Sequence, residues 1–118
     1  MRKRLWTVGL ILLALAAPLS ADKRKDAIQQ VDFGIKVAYK GLWKEAILRF
    51  EAAIKIDEKY AQAWNNLGIA YEQLGKFADA RTAYETAMKL DPNNGFIKQN
   101  YEMFRDIYDR QNKRRGRF

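Results

Sequence analysis

Apolar residues recur every three to four positions from Ala27 to Tyr39, and the pattern stops at Gly41. Ile28, Val31, Ile35 and Tyr39 make one stripe, and Phe33 and Val37 make a core stripe beside it. That period predicts a helix of about fourteen residues. A second run follows with Ala46, Phe50 and Ala53 at helical spacing. The alternation then repeats: Trp64, Leu67 and Tyr71, a stop at Gly75, then Ala80, Tyr84 and Ala87. Glycine can take the left-handed conformation that ends a helix and turns the chain, so Gly41 and Gly75 read as helix stops. Pro92 cannot continue a helix and marks another turn. Beyond it, Ile97, Tyr101, Phe104 and Tyr108 recur at helical spacing, behind an N-cap at Asn93 or Asn94. The pattern predicts an all-α chain of five helices, in two pairs and a capping helix.

The two pairs are copies of one unit. Residues 27–60 and 61–94 are each 34 long and align without a gap. In the second, Trp64, Leu67, Gly68, Tyr71, Ala80, Tyr84, Ala87 and Pro92 fall at places 4, 7, 8, 11, 20, 24, 27 and 32. That unit resembles a complete tetratricopeptide repeat. The first unit is similar but degraded: Phe33, Gly34, Ala46, Phe50 and Ala53 match, while Gln30, Val37 and Glu58 replace tryptophan, tyrosine and proline. The resemblance implies a short helical solenoid of two helix-turn-helix repeats. The capping helix, about residues 94–109, closes its open end, because each unit buries its apolar face only against its neighbours.

Ahead of the repeats, Arg2, Lys3 and Arg4 precede an uncharged run from Leu5 to Ala21. A basic start, an apolar stretch and small residues before a cut describe a signal peptide, residues 1–21, with Asp22 beginning the mature chain. The alternative is an uncleaved inner-membrane anchor over residues 5–21. Seventeen uncharged residues rise roughly 25 Å as a helix, short of the ~30 Å hydrocarbon core, which favours cleavage. Either way the repeats are expected on the exported side, in a bacterial periplasm or secreted. The absence of cysteine is compatible with an oxidising compartment.

The formal charge of +8 suggests nucleic acid until it is located. Between Asp22 and Asp109 there are 14 basic and 14 acidic residues, so the folded part is neutral. The excess sits in the leader and in Arg110, Lys113, Arg114, Arg115 and Arg117. Residues 110–118 read as a basic disordered tail, able at most to make weak contact with anionic membrane. Nucleic acid is not an expected partner.

Past Ala21 the chain has no histidine, cysteine or serine, which removes the usual nucleophile–base pairs and imidazole metal sites. There is no glycine-rich phosphate loop. Glu45 with Arg49, and Glu51 with Lys55, stand at i, i+4 as ordinary helix-surface pairs. No enzyme and no cofactor or metal is expected.

The resemblance implies that peptide contacts come from places 2, 5, 9, 12 and 13 of each first helix. These are Ile28, Val31, Ile35, Ala38 and Tyr39, then Gln62, Asn65, Ile69, Glu72 and Gln73, with Asn66 at a sixth place that some peptide clamps use. Family members that grip a terminal carboxylate carry lysine and asparagine where this chain has Val31 and Ile35, so recognition of that type is not expected. On the capping helix, Phe96, Met103 and Ile107 form a leftover apolar stripe and a candidate self-association surface. The expected function is an exported protein-interaction module holding a polypeptide segment in its concave face. The alternative is a self-associating structural subunit at the membrane.

Overall fold

The computed structural model describes the backbone of residues 6–116 and the side chains of residues 20–116. Five helices account for the described chain: α1 (Trp6–Tyr39), α2 (Trp43–Ile56), α3 (Ala61–Gln73), α4 (Phe77–Leu90) and α5 (Gly95–Arg115). α1 packs on α2 and α3 on α4 as two antiparallel pairs, α2 joins the pairs, and α5 closes the far side against α4 and α3. The fold is an all-α tetratricopeptide-type solenoid.

Each pair is turned by the same device. Gly41 (φ +77°) and Gly75 (φ +71°) take the left-handed conformation. The Leu42 N–H donates to the Val37 carbonyl at 3.3 Å, and the Lys76 N–H to that of Tyr71 at 2.9 Å. This six-residue closure satisfies carbonyls that a helix end otherwise leaves open. The turns between pairs also match. The Asp57 N–H donates to the Ala53 carbonyl and the Asp91 N–H to that of Ala87; Tyr60 and Asn94 then donate to the carbonyls of Asp57 and Asp91. Glu58 therefore makes in the first unit the turn that Pro92 makes in the second. α5 starts at Asn94, whose side-chain oxygen accepts from the N–H groups of Phe96 and Ile97.

Close approach within each pair depends on two glycines. A Cβ on Gly34 would lie 2.5 Å from Phe50 Cε1, and one on Gly68 would lie 2.9 Å from Tyr84 Cδ1. Around these contacts Ala27, Val31, Val37, Ala46, Phe50, Ala53, Ala63, Leu67 and Ala70 form the first core. Tyr84, Ala80 and Phe104 form the last, supported by Phe77, Tyr101 and Tyr108. Ring centroids there lie 5.3 Å apart for Tyr84–Phe104 and 5.7 Å for Phe104–Tyr108, a favourable aromatic spacing.

Three expectations need revision. Phe33, expected in the core, is 45% exposed, whereas Leu67, its counterpart 34 residues on, is 5% exposed. Place 7 packs on the second helix of the preceding pair; Leu67 has α2 there, and among the described residues Phe33 has no such helix. The Arg49 guanidinium covers its ring instead, 4.4 Å from the centroid. Second, the capping helix does not end at 109. It runs to Arg115, so residues 110–115 of the expected disordered tail are helical. The basic residues at that end suit the negative pole of the helix dipole. Third, α1 does not begin near Ala27 but continues back to Trp6 as one helix of 34 residues. The leader itself, 1–21, lies almost entirely outside the residues whose side chains are described. Among the described residues no helix is long and apolar enough to cross a membrane.

Candidate peptide-binding groove

The first helices of the two pairs and the capping helix, α1, α3 and α5, stand side by side and enclose a cavity of about 500 Å³. Its walls are Ile35, Ala38 and Tyr39 from α1, Gln62, Asn66 and Ile69 from α3, and Phe96 from α5; Trp43 and Phe50 of α2 complete the lining. No lining side chain carries a full charge. The open walls are apolar with two amides, so the groove can bury apolar side chains and bond a backbone, but it offers nothing to balance a carboxylate.

The sequence-derived residues divide. Ile35, Tyr39, Asn66, Ile69 and Phe96 line the cavity. Tyr39, 88% exposed, stands free at the rim. Val31 and Asn65 do not reach the surface. Val31 is 2% exposed inside the first core, and Asn65 is fully buried between α3 and α5. The Asn65 side-chain oxygen accepts from Asn100 Nδ2 at 3.2 Å, while its own Nδ2 is buried without a partner. Place 5 faces inward here because the neighbouring helices close over it. Ile28 and Gln73 are exposed but lie outside the cavity lining.

Two polar residues are already engaged. Asn66 Nδ2 donates to the Gln62 carbonyl at 2.8 Å, one turn back. Glu72 accepts from the Tyr84 hydroxyl at 2.8 Å. Burial, reinforced by the neighbouring Glu72 carboxylate, pushes the Tyr84 phenol far above its ordinary value, so it stays a hydrogen-bond donor. Glu72 thus ties α3 to α4 rather than facing a ligand.

Phe96 changes the reading of α5. The stripe Phe96, Met103 and Ile107 stands 34 residues after Gln62, Ile69 and Gln73, and 68 after Ile28, Ile35 and Tyr39. Phe96 shares the cavity with Ile35 and Ile69. Phe96 therefore belongs to the groove wall, while Met103 and Ile107 are exposed outside the cavity lining. The 34-residue register carried this signal in the sequence. Trp43 and Phe50, in contrast, were not legible as lining residues, because they come from second helices.

The comparisons with known proteins agree with this architecture. A family model described as tetratricopeptide repeat matches residues 61–94, and one described as TPR repeat matches residues 38–75. Residues 38–94 are thus matched by tetratricopeptide-repeat models. Among curated proteins it is 37% identical over 62 residues to the tetratricopeptide repeat domain-containing protein PYG7, chloroplastic, of Arabidopsis thaliana, a match covering 52% of this chain and 21% of that protein. It is 36% identical over 67 residues to protein O-mannosyl-transferase TMTC1 of Mus musculus, covering 57% of this chain and 7% of that protein. The chain thus spans about a fifth or less of the length of these relatives. Among solved structures, the Sgt2 TPR domain of Aspergillus fumigatus superimposes with a TM-score of 0.69 at 24% identity, over 74% of this chain and 59% of that one. The second TPR of Spaghetti (RPAP3), bound to the HSP90 peptide SRMEEVD, superimposes with a TM-score of 0.70 at 22% identity, over 79% and 86%. At these identities the structural likeness concerns the fold.

Proposed function

We propose that this chain is a protein-interaction module that holds a polypeptide segment in the groove between α1, α3 and α5. The observation that carries the reading is the cavity itself: Ile35, Tyr39, Ile69 and Phe96 converge on one concave, uncharged space. An apolar concavity of this size would otherwise be left to water. The solved TPR domain of Spaghetti that shares the fold carries a peptide, which supports a peptide as the occupant. That peptide carries two glutamates and an aspartate among its last four residues, and the lining here has no cation to meet them. The segment taken by this chain is accordingly apolar. The basic start and apolar run of residues 1–21 support export of the repeats to a periplasm or the cell exterior. No catalysis is proposed.

Photocrosslinking tests the reading, with a benzophenone side chain at Tyr39 on the groove rim. The expected result is a discrete adduct to a different protein, lost when Phe96 is changed to Asp while the helical content is unchanged. Absence of any adduct that depends on Phe96 would overturn it. Val31→Asp does not serve, because it places a charge in the core and unfolds the domain.

A second reading, self-association, is favoured by one observation. Leu42, just before α2, and Leu48, on α2, are exposed where the second pair has Lys76 and Thr82. Sedimentation across a range of concentrations decides it: a monomer throughout removes the reading, and a dimer lost on Leu48→Lys supports it.

A further inference from the structure

At its C-terminal end α5 reaches further than α1 and α3, which stop at the equivalent residues Tyr39 and Gln73. α3 ends at Gln73, whose counterpart 34 residues on is Ile107, but α5 continues to Arg115. The extra eight residues project about 12 Å past the end of the groove. Phe96, Gln99, Met103, Ile107, Arg110 and Arg114 succeed one another at spacings of three and four, so they share one helix face. That face begins in the cavity at Phe96, continues through exposed Met103 and Ile107, and ends in exposed Arg110 and Arg114. Among the described residues the ion pairs are Arg24–Asp57 and Arg81–Glu85, so neither arginine is neutralised within the fold. Asp106, at the edge of the same face and one turn before Arg110, is the nearest acid along it.

The two ends of the solenoid differ. Arg24 of α1 meets Asp57 and Tyr60 at the turn between the pairs, so α1 enters at that end. Tyr108 of α5 packs on Phe77 at the start of α4, so the arginines leave at the opposite end. A flat anionic membrane could meet Arg110 and Arg114 but could not enter the concave space that holds Phe96. A polypeptide can do both.

Resting on the reading of the groove as a polypeptide site, we propose that its occupant is apolar where it lies against Ile35, Ile69, Phe96 and Met103, and acidic where it passes Ile107 to meet Arg110 and Arg114. The extension of α5 is a selectivity arm. The uncharged groove supplies burial, and the arm supplies the charge contact that chooses among apolar segments and fixes the direction in which one lies.

The test uses the purified protein and fluorescein-labelled peptides that share one leucine- and alanine-rich stretch of four helical turns. At one end, in either polarity, the stretch carries four glutamates, four glutamines or four lysines. The glutamate peptide is expected to bind about tenfold tighter than the glutamine peptide in one polarity, with the lysine peptide weakest. Arg110→Glu with Arg114→Glu, both at exposed sites, is expected to invert the order of the charged peptides and leave the glutamine peptide unchanged. Phe96→Asp is expected to weaken all three. Equal binding of glutamate and glutamine peptides, with Phe96→Asp still weakening both, overturns the acidic selection and leaves the groove reading intact. Binding insensitive to Phe96→Asp, or no binding at all, overturns both. Sedimentation with phosphatidylglycerol vesicles that depends on Arg110 and Arg114, without discrimination among the peptides, assigns the arm to lipid and overturns the proposal.

Discussion

Gly34 and Gly68 stand at place 8 of their units for a steric reason, because each faces the ring of its partner helix. A methyl group on Gly34 would meet Phe50 Cε1 at 2.5 Å and Cδ1 at 2.9 Å; on Gly68 it would meet three Tyr84 ring atoms at 2.9–3.0 Å. Both rings are buried and cannot swing away. Overpacking costs about 1–3 kcal/mol, against a gain of about 1 kcal/mol from alanine's better helix propensity. Gly34→Ala is therefore expected to lower the melting temperature, and Gly68→Ala to do so less, as thermal unfolding followed by circular dichroism would show. A second prediction concerns Arg24. Its guanidinium holds the Asp57 carboxyl below the usual aspartate value, against a smaller opposing effect of burial. A depressed carboxylate contributes stability above its unfolded value of about 3.9 and loses it as pH falls through the folded value. The melting-temperature gap between the native chain and Arg24→Gln should be open at neutral pH and should close below about pH 4. A gap that persists at pH 2 would mean that Arg24 acts by packing on Tyr60, whose ring centroid lies 4.8 Å from it.

At the scale of the element, α5 is joined to the rest by an aromatic core, by Ile97 packed with Ala61 and Ala87, by the Tyr101 hydroxyl donating to Glu85 and by one amide pair. Asn100 reaches 3.2 Å to Asn65, and the second Asn65 amide atom remains buried without a partner. A buried polar group deprived of its last partner costs about 1–3 kcal/mol, whereas replacing both members by apolar groups is close to neutral. Asn100→Ala is thus expected to destabilise the domain, and Asn65→Leu with Asn100→Leu to restore much of the loss in denaturant titrations. If the double variant is less stable than Asn100→Ala, the pair is held for packing and not for hydrogen bonding. Asn65 also shows the limit of reading an element from a pattern. The family place that it occupies implies a ligand contact, but α5 crosses above it and converts that place into interior.

Across the whole molecule, the charge lies at the ends and the groove is neutral. The basic extension of α5 stands beyond the aromatic core, so it should matter for binding and little for folding. A chain ending at Asp109 is expected to melt within about 4 °C of the full chain, because surface positions contribute within about 0.5 kcal/mol. A larger drop would show that residues 110–115 support the cap, and the selectivity arm would then have a structural duty as well.

The order of helices, their stops at Gly41 and Gly75, the matched alanines and a cap at Asn93 or Asn94 were all legible in the chain, and the structure selects Asn94. They follow from periodicity, from the left-handed backbone that glycine tolerates and from a side chain bonding its own helix start, which are local matters. Burial of Val31 and Asn65, exposure of Phe33, and the entry of Trp43 and Phe50 into the groove lining were not legible. Each depends on which helix lies alongside, and that is decided by packing between segments far apart in sequence. The end of α5 fell between the two. Polar residues after Asp109 show no apolar period, yet they continue a helix already nucleated and anchored by Phe104 and Tyr108, since propagation is cheap once the first turns are held.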